Sequence, residues 1–367
     1  MALFHLSRLN QKRWSLFTRH RRGFWSLWIF IALTVLSWLA PVIANDRPIL
    51  ASYKGELLFP TLVDYPEAKF GGFLAQTDYR NPLNTDEIAA NGWLIWPPIR
   101  YSYDTVNLEL PRPAPSPPAF KLTREEACAK YPQGAADPQC VAGNMNWLGT
   151  DDQGRDVVAR LIWGFRLSVT FGLILALLSS IIGVAAGAVQ GYFGGWTDLL
   201  FQRFIDIWSS MPTLYLLIIL SAFITPNFWL LLLILVLFSW TSLVGVVRAE
   251  FLRARNFEYV RAAKALGLSD TKIMIKHLLP NAVVSTITFL PFIVSASVTT
   301  LTALDFLGFG LPPGSPSLGE LLAQGKNNLQ APWLGITGFL VTSVMLTLLV
   351  FIGEAVRDAL DPRKTFT

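Results

Sequence analysis

The chain has 367 residues, 52% of them hydrophobic and 15% charged, with a formal net charge of +5. That balance excludes an ordinary soluble protein, because apolar runs long enough to cross about 30 Å of hydrocarbon recur along it. The positive charge would suggest a nucleic-acid partner only if it formed a soluble patch, and it does not: it collects in stretches that flank apolar runs.

Residues 1–23 carry Arg8, Lys12, Arg13, Arg19, Arg21 and Arg22 and no acid. The first apolar run, 24–44, ends in Val42-Ile43-Ala44, which resembles a signal-peptidase site. Its length of roughly 20 residues exceeds the roughly 7–15 of a signal core, so a retained helix is expected. Five further spans are expected over 167–191, 206–225, 228–247, 282–304 and 333–353. The basic N-terminus and the basic 248–281 loop place both on the cytoplasmic side, and Arg357, Arg363 and Lys364 agree for the C-terminus. The expectation is an all-α membrane protein with six transmembrane helices. Its parts are a cytoplasmic N-terminus (1–23), a first helix (24–44), an irregular periplasmic insertion and connector (45–165), a five-helix core (166–354) and a cytoplasmic C-terminus (355–367).

Within the insertion, residues 45 to about 145 are rich in Pro, Asn, Tyr and Trp and read as short strands and loops. Pro111–Pro118 reads as an extended polyproline spacer. Cys128 and Cys140 both fall in this exported segment, where an oxidising compartment favours a disulfide over free thiols. No metal site is expected: the three histidines, His5, His20 and His277, lie elsewhere. The acids of Asn146–Asp156 lack alternating cation-ligand spacing and read as a capped turn before a helix. Gly183, Gly187 and Gly191 form a small-residue ridge for close helix packing, within the chain or against another subunit. Gly194–Asp198 reads as a short turn, and Arg203 with Asp206 as interfacial charges or an ion pair.

The 256–281 stretch is the most informative. Asn256 is placed to cap a helix, Glu258 lies in its first turn, Arg261 and Lys264 follow, and Gly267 supplies a left-handed stop. Tyr259, Ala262, Ala263 and Leu266 fall at i, i+3, i+4 and i+7 as one apolar stripe. A second short helix starts at Ser269-Asp270, and Pro280 opens the next apolar run. Pattern alone leaves open whether this helix–turn–helix docks another protein or packs on its own chain. Gly319–Asn327 imitates a phosphate loop, but its spacer is one residue too long and Asn327 stands where Ser or Thr would hold magnesium.

Glu258, Ala262, Ala263, Gly267 and the Leu279-Pro280-Asn281 ending resemble the EAA loop of the membrane-spanning subunits of ABC importers. Leu148-Gly149-Thr150-Asp151 with Gly154-Arg155-Asp156 resembles the segment before the first core span of the oligopeptide/dipeptide permease subfamily. Phe306–Gly310 with Pro312-Pro313 resembles another of its elements, with Leu318 where Trp is usual. The resemblance covers roughly residues 147–360 and departs at the 46–140 insertion. It implies a type I ABC importer transmembrane fold in a bacterial inner membrane. Glu258, Tyr259, Arg261, Ala262, Ala263, Lys264, Leu266 and Gly267 would then couple to cytoplasmic ATP-binding subunits. The implied partners are those subunits, a sister permease, a periplasmic substrate-binding protein, membrane lipid and a peptide-like substrate, microcin C-type compounds included. No catalytic residue and no cofactor are expected on this chain; ATP and Mg would belong to the partner subunits. Span interiors nearly free of ionisable residues argue against an ion-coupled carrier. A membrane scaffold or channel recruiting a cytoplasmic partner through the same loop is the alternative.

Overall fold

Inside hydrocarbon every backbone N–H and C=O must be paired within its own segment, so the apolar runs form helices. The computed structural model describes residues 8–127 and 141–361. Cys128 and Cys140 lie outside these residues.

An amphipathic helix, α1 (Arg8–Arg19), seats Phe17 against Ala355 and Ala359. Helix α2 (Arg21–Trp38) and a single turn, Ala40–Ile43, occupy the first expected span; Trp25, Trp28 and Trp38 point outward. Four helical stretches among the described residues are long and apolar enough to cross a membrane: Val157–Phe193, Phe228–Ala254, Asp270–Leu307 and Pro332–Leu360. A bent pair makes a fifth if counted as one span. Helix α2 falls outside that count, since Arg21 and Arg22 dilute its 18 residues and Leu39 interrupts it.

The insertion folds on its own small core. Strands β1 (Leu50–Tyr53), β2 (Glu56–Leu58) and β3 (Gly92–Ile95) form an antiparallel sheet in the order β2-β1-β3, pairing Ala51 with Leu58 and with Leu94. Helix α3 (Pro82–Ala90) contributes Ile88 to a cluster with Ala51, Tyr53, Leu58, Phe70 and Tyr79. The proline-rich run is not a free spacer. Ser116 bonds twice to Thr150, its N–H donating to the Thr150 hydroxyl at 2.9 Å and its carbonyl accepting from Thr150 N–H at 2.9 Å.

Asp156 caps α4 (Val157–Phe193) by accepting from Ala159 N–H at 2.8 Å. Burial pushes the Asp156 carboxyl up to about 6 against the pull of the Ala159 N–H and the Asn146 amide. Upstream lies a buried charge cluster that sequence reading took for a simple turn. Asp151 Oδ2 accepts from Arg155 Nε at 2.7 Å and from Arg160 Nη1 at 3.1 Å. Across 160 residues of sequence, Glu320 accepts from Arg160 Nη2 at 2.8 Å, and from Arg155 Nη2 at 3.0 Å.

The expected continuous span 206–225 is instead two helices, α5 (Gly195–Ser210) and α6 (Thr213–Phe223), bent by 57°. Pro212 supplies no N–H and drives Met211 into extended backbone (φ −73°, ψ 122°), which ends α5. The turn expected over Gly194–Asp198 narrows to Gly194 at φ 66°; Gly195, at φ 56°, already opens α5, and Trp196 to Asp198 are helical. Arg203 and Asp206 pair at 3.3 Å on the exposed side of α5.

Helices α7 (Phe228–Ser239) and α8 (Thr241–Ala254) run on as one span, and α4 lies along α8. The glycine ridge faces this contact. A methyl at Gly183 would stand 2.5 Å from Trp240 O, one at Gly187 2.8 Å from Val244 O, and one at Gly191 2.5 Å from Phe251 Cβ. The ridge therefore serves packing within the chain, where backbones approach too closely for any Cβ.

Candidate functional site

Helix α9 (Glu258–Ala265) is shorter than its sequence pattern suggests and begins without a side-chain cap: Phe257 holds the N-cap position. Asn256 instead turns its amide back to Leu252 O at 3.5 Å, at the end of α8. The helix ends in a Schellman motif. Leu268 N–H bonds to Ala263 O at 3.2 Å, Gly267 N–H bonds to Lys264 O at 2.9 Å, and Gly267 takes φ 79°. No atom lies within 4 Å of where a Gly267 side chain would begin, so the backbone conformation alone selects glycine there.

The expected apolar stripe divides between two faces. Val260 and Ala263 are buried in a cluster with Ala188, Tyr192, Val247, Phe251, Ile273 and Leu278. Tyr259, Ala262 and Leu266 are exposed, Leu266 at 80%. The buried face is thus turned about a quarter of the helix from the pattern-based one, since each residue advances the wheel by ~100°. Both faces are apolar; the one containing Val260 is buried against the spans, whereas on the other Ala262 and Leu266 are exposed and Tyr259 accepts from the Asn281 amide at 3.4 Å. The spacing of Val260 and Ala263 carried that signal; Tyr259 and Leu266, larger on the other side, masked it.

Several polar contacts hold α9 against the spans. Lys264 Nζ sits 4.8 Å from the Tyr192 ring centroid, and the Tyr192 hydroxyl donates to Asp270. Arg255 reaches the carbonyls of Tyr192 and Gly191 at 3.3 and 3.4 Å, covering the C-terminal end of α4. Arg248 grips Asp198 with a two-pronged bond of 2.5 and 2.6 Å. None of these partners could be matched from spacing.

The second short helix is not a separate element. Helix α10 (Asp270–Ile273) passes through a π turn, Met274–Leu278, straight into α11 (Leu279–Leu307). Pro280 cannot donate to Lys276 O, and the wider turn absorbs that missing bond. At the far end of α11, Asp305 accepts from Leu311 N–H at 2.8 Å and from the Ser317 hydroxyl, which in turn caps α12 (Leu318–Asn327). The phosphate-loop imitation at Gly319–Asn327 is therefore helix, with no loop to cradle a phosphate. The last helix, α13 (Pro332–Leu360), packs on α2, α11 and α12.

A cavity of about 510 Å³ opens among α4, α6, α7, α8 and α11. Its apolar wall is interrupted by Thr213, Ser239, Ser242, Ser297 and Thr300. Ser297 and Thr300 donate to carbonyls of α11 at 2.7 and 2.9 Å, and Ser242 donates to Ser239 O at the end of α7 at 2.7 Å, so each hydroxyl proton is engaged and the oxygens keep acceptor capacity.

Residues 168–366 match the family model described as binding-protein-dependent transport system inner membrane component. The chain belongs to this family, and it is a transmembrane permease subunit of an ABC importer with the type I fold, a multi-pass membrane protein. It is 67% identical over 356 residues to the peptidoglycan transport system permease protein YejE of Agrobacterium fabrum, covering 97% of this chain and 93% of that one. It is 57% identical over 360 residues to the inner membrane ABC transporter permease protein YejE of Escherichia coli, covering 98% of each. Similarity to the oligopeptide transport system permease protein OppC of Lactococcus lactis is 34% over 225 residues, covering 60% of this chain and 76% of that one.

Proposed function

We propose that this permease forms half of the translocation pathway for peptides or peptide-like compounds, and that the outer face of α9 couples it to cytoplasmic ATPase subunits. The observation that carries the coupling is the open apolar face Tyr259–Ala262–Leu266 on a helix whose adjacent face is locked to α4, α8 and α11. Glu258 borders that face, Arg261 lies farther round the helix, Lys264 is turned onto Tyr192, and Ala263 and Gly267 fix the angle of the helix. Force applied there passes into the spans through packed side chains. In this reading the 248–281 loop and both termini are cytoplasmic, in a bacterial inner membrane. ATP and magnesium bind on the partner subunits, and the chain itself supplies no ATPase site. A sister permease provides the other half of the pathway and a soluble extracytoplasmic protein delivers substrate. The substrate class draws support from the names of the relatives, which concern peptidoglycan, oligopeptide and dipeptide transport.

The test is Leu266→Asp beside Gly267→Val in the full complex. Leu266→Asp leaves the buried face untouched, and it is expected to reduce ATPase co-purification and ATP-driven uptake by ~10-fold or more, as for a central apolar contact. Gly267→Val forces a β-branched residue into left-handed backbone and is expected to do the same by misplacing the helix. Normal uptake and subunit retention in both variants would refute the coupling role.

A further inference from the structure

The 67–74 loop of the insertion is unusually well fixed for a segment that presents its largest side chain wholly to solvent. Glu67 is buried, and its carboxylate accepts from Phe73 N–H at 3.1 Å, Leu74 N–H at 3.0 Å and the Asn84 amide at 2.6 Å. The backbone closes the ring: Glu67 N–H bonds to Leu74 O at 3.1 Å and Gly72 N–H to Glu67 O at 3.0 Å. Gly71 takes φ 92°, and any side chain on Gly72 would collide with Glu67. Phe70, from the same loop, is clamped between Tyr53 and Tyr79. The product of this arrangement is Phe73 at 99% exposure, beside the exposed Leu74. The neighbouring segment is tied in through Thr77 N–H to Tyr65 O at 3.0 Å and adds exposed Leu62 and Val63. A rigid loop holding an aromatic anchor in water has its ordering cost settled before any partner arrives.

We propose that the Phe73 loop is the anchor by which this permease holds its soluble extracytoplasmic substrate-binding protein, with Phe73 entering an apolar pocket rimmed by basic groups. The inference rests on the importer reading above, and three observations select the occupant. The family is by description dependent on a binding protein. Its model begins only at residue 168, and the Lactococcus relative matches 225 residues, whereas the Agrobacterium and Escherichia relatives match nearly the whole chain. The insertion thus goes with a subgroup of the family, as a surface that selects one partner should. Residues 45–127 also carry eleven acids against eight bases, which opposes anionic lipid headgroups and favours a basic-rimmed protein.

The experiment uses the assembled complex in lipid nanodiscs and the purified, ligand-loaded cognate binding protein, with affinity read by interferometry. Phe73→Ala is expected to weaken binding ~30-fold, as loss of an aromatic hot spot does. Glu67→Gln, which keeps Phe73 but loosens the ring, is expected to weaken it less. Leu108→Ala, exposed elsewhere on the insertion, is expected to leave it unchanged. All three should retain the basal ATPase rate. Unchanged affinity in Phe73→Ala, with uptake intact, overturns the anchor and leaves the importer reading standing. So does a loss confined to attachment of the complex to anionic vesicles, since the loop would then be a lipid contact. A wild-type complex whose ATPase and uptake ignore every added binding protein would remove the importer reading as well.

Discussion

Replacing Arg160 with methionine isolates the value of the buried charge cluster. Arg160 has no exposed surface, and its guanidinium donates to Asp151 at 3.1 Å, Glu320 at 2.8 Å and Ser315 O at 3.0 Å. Removing it leaves Asp151 and Glu320 to share Arg155, one cation for two carboxylates in a site with little water. Breaking a buried pair in this way costs ~3–5 kcal/mol. The charge arithmetic adds a sharper expectation. Glu320→Gln alone should destabilise the parent, because Arg160 and Arg155 then share one carboxylate. In the Arg160→Met background the same change should stabilise, because it restores one cation to one anion. Reversible unfolding in mixed micelles, followed by tryptophan fluorescence, measures all four members of the cycle. An Arg160→Met loss under about 1 kcal/mol, or Glu320→Gln effects of the same sign in both backgrounds, would refute the reasoning.

Gly191→Val should lower stability in the same assay by ~1–3 kcal/mol or more, since its Cβ would lie 2.5 Å from Phe251 Cβ and 2.6 Å from Arg248 O; Gly245→Ala, with open space around it, should be neutral or better. Asp156, with its folded-state carboxyl raised to about 6 from 3.8, holds a proton over roughly pH 4–6 that the unfolded chain releases. Its contribution to stability therefore falls as pH rises through that window and is level above it, and Asp156→Asn should flatten the pH profile.

How much of this was legible in the sequence differs by element. The spans over 333–353 and 167–191 could be placed by their apolar runs, although the helices extend beyond both. The break in 206–225 was written in Met211-Pro212, a local signal outweighed by the hydropathy of the whole stretch. On α9, composition marked the helix and Gly267 its end, but a helix apolar on two sides does not reveal which side its own chain takes. That depends on Tyr192, Phe251 and Leu278, which lie on other elements. The charge cluster was hidden for the same reason: Asp151 and Arg155 read as a turn until Glu320 is brought beside them. The insertion showed short strands, yet nothing in its spacing indicated that Glu67 would turn inward to organise Phe73.

Helix from Asp270 to Leu307 is continuous over 38 residues, or about 57 Å at ~1.5 Å per residue. One end sits beneath α9, and the other carries Asp305 into the bonds that set α12. Between them, Pro291 withholds the N–H that would meet Ile287 O, so bending stiffness is reduced there. A rod fulcrumed near its middle swings its tips in opposite directions. On the proposed coupling role, a displacement at the α9 end would reach the Asp305 end through a single piece of backbone and with no relay of loops.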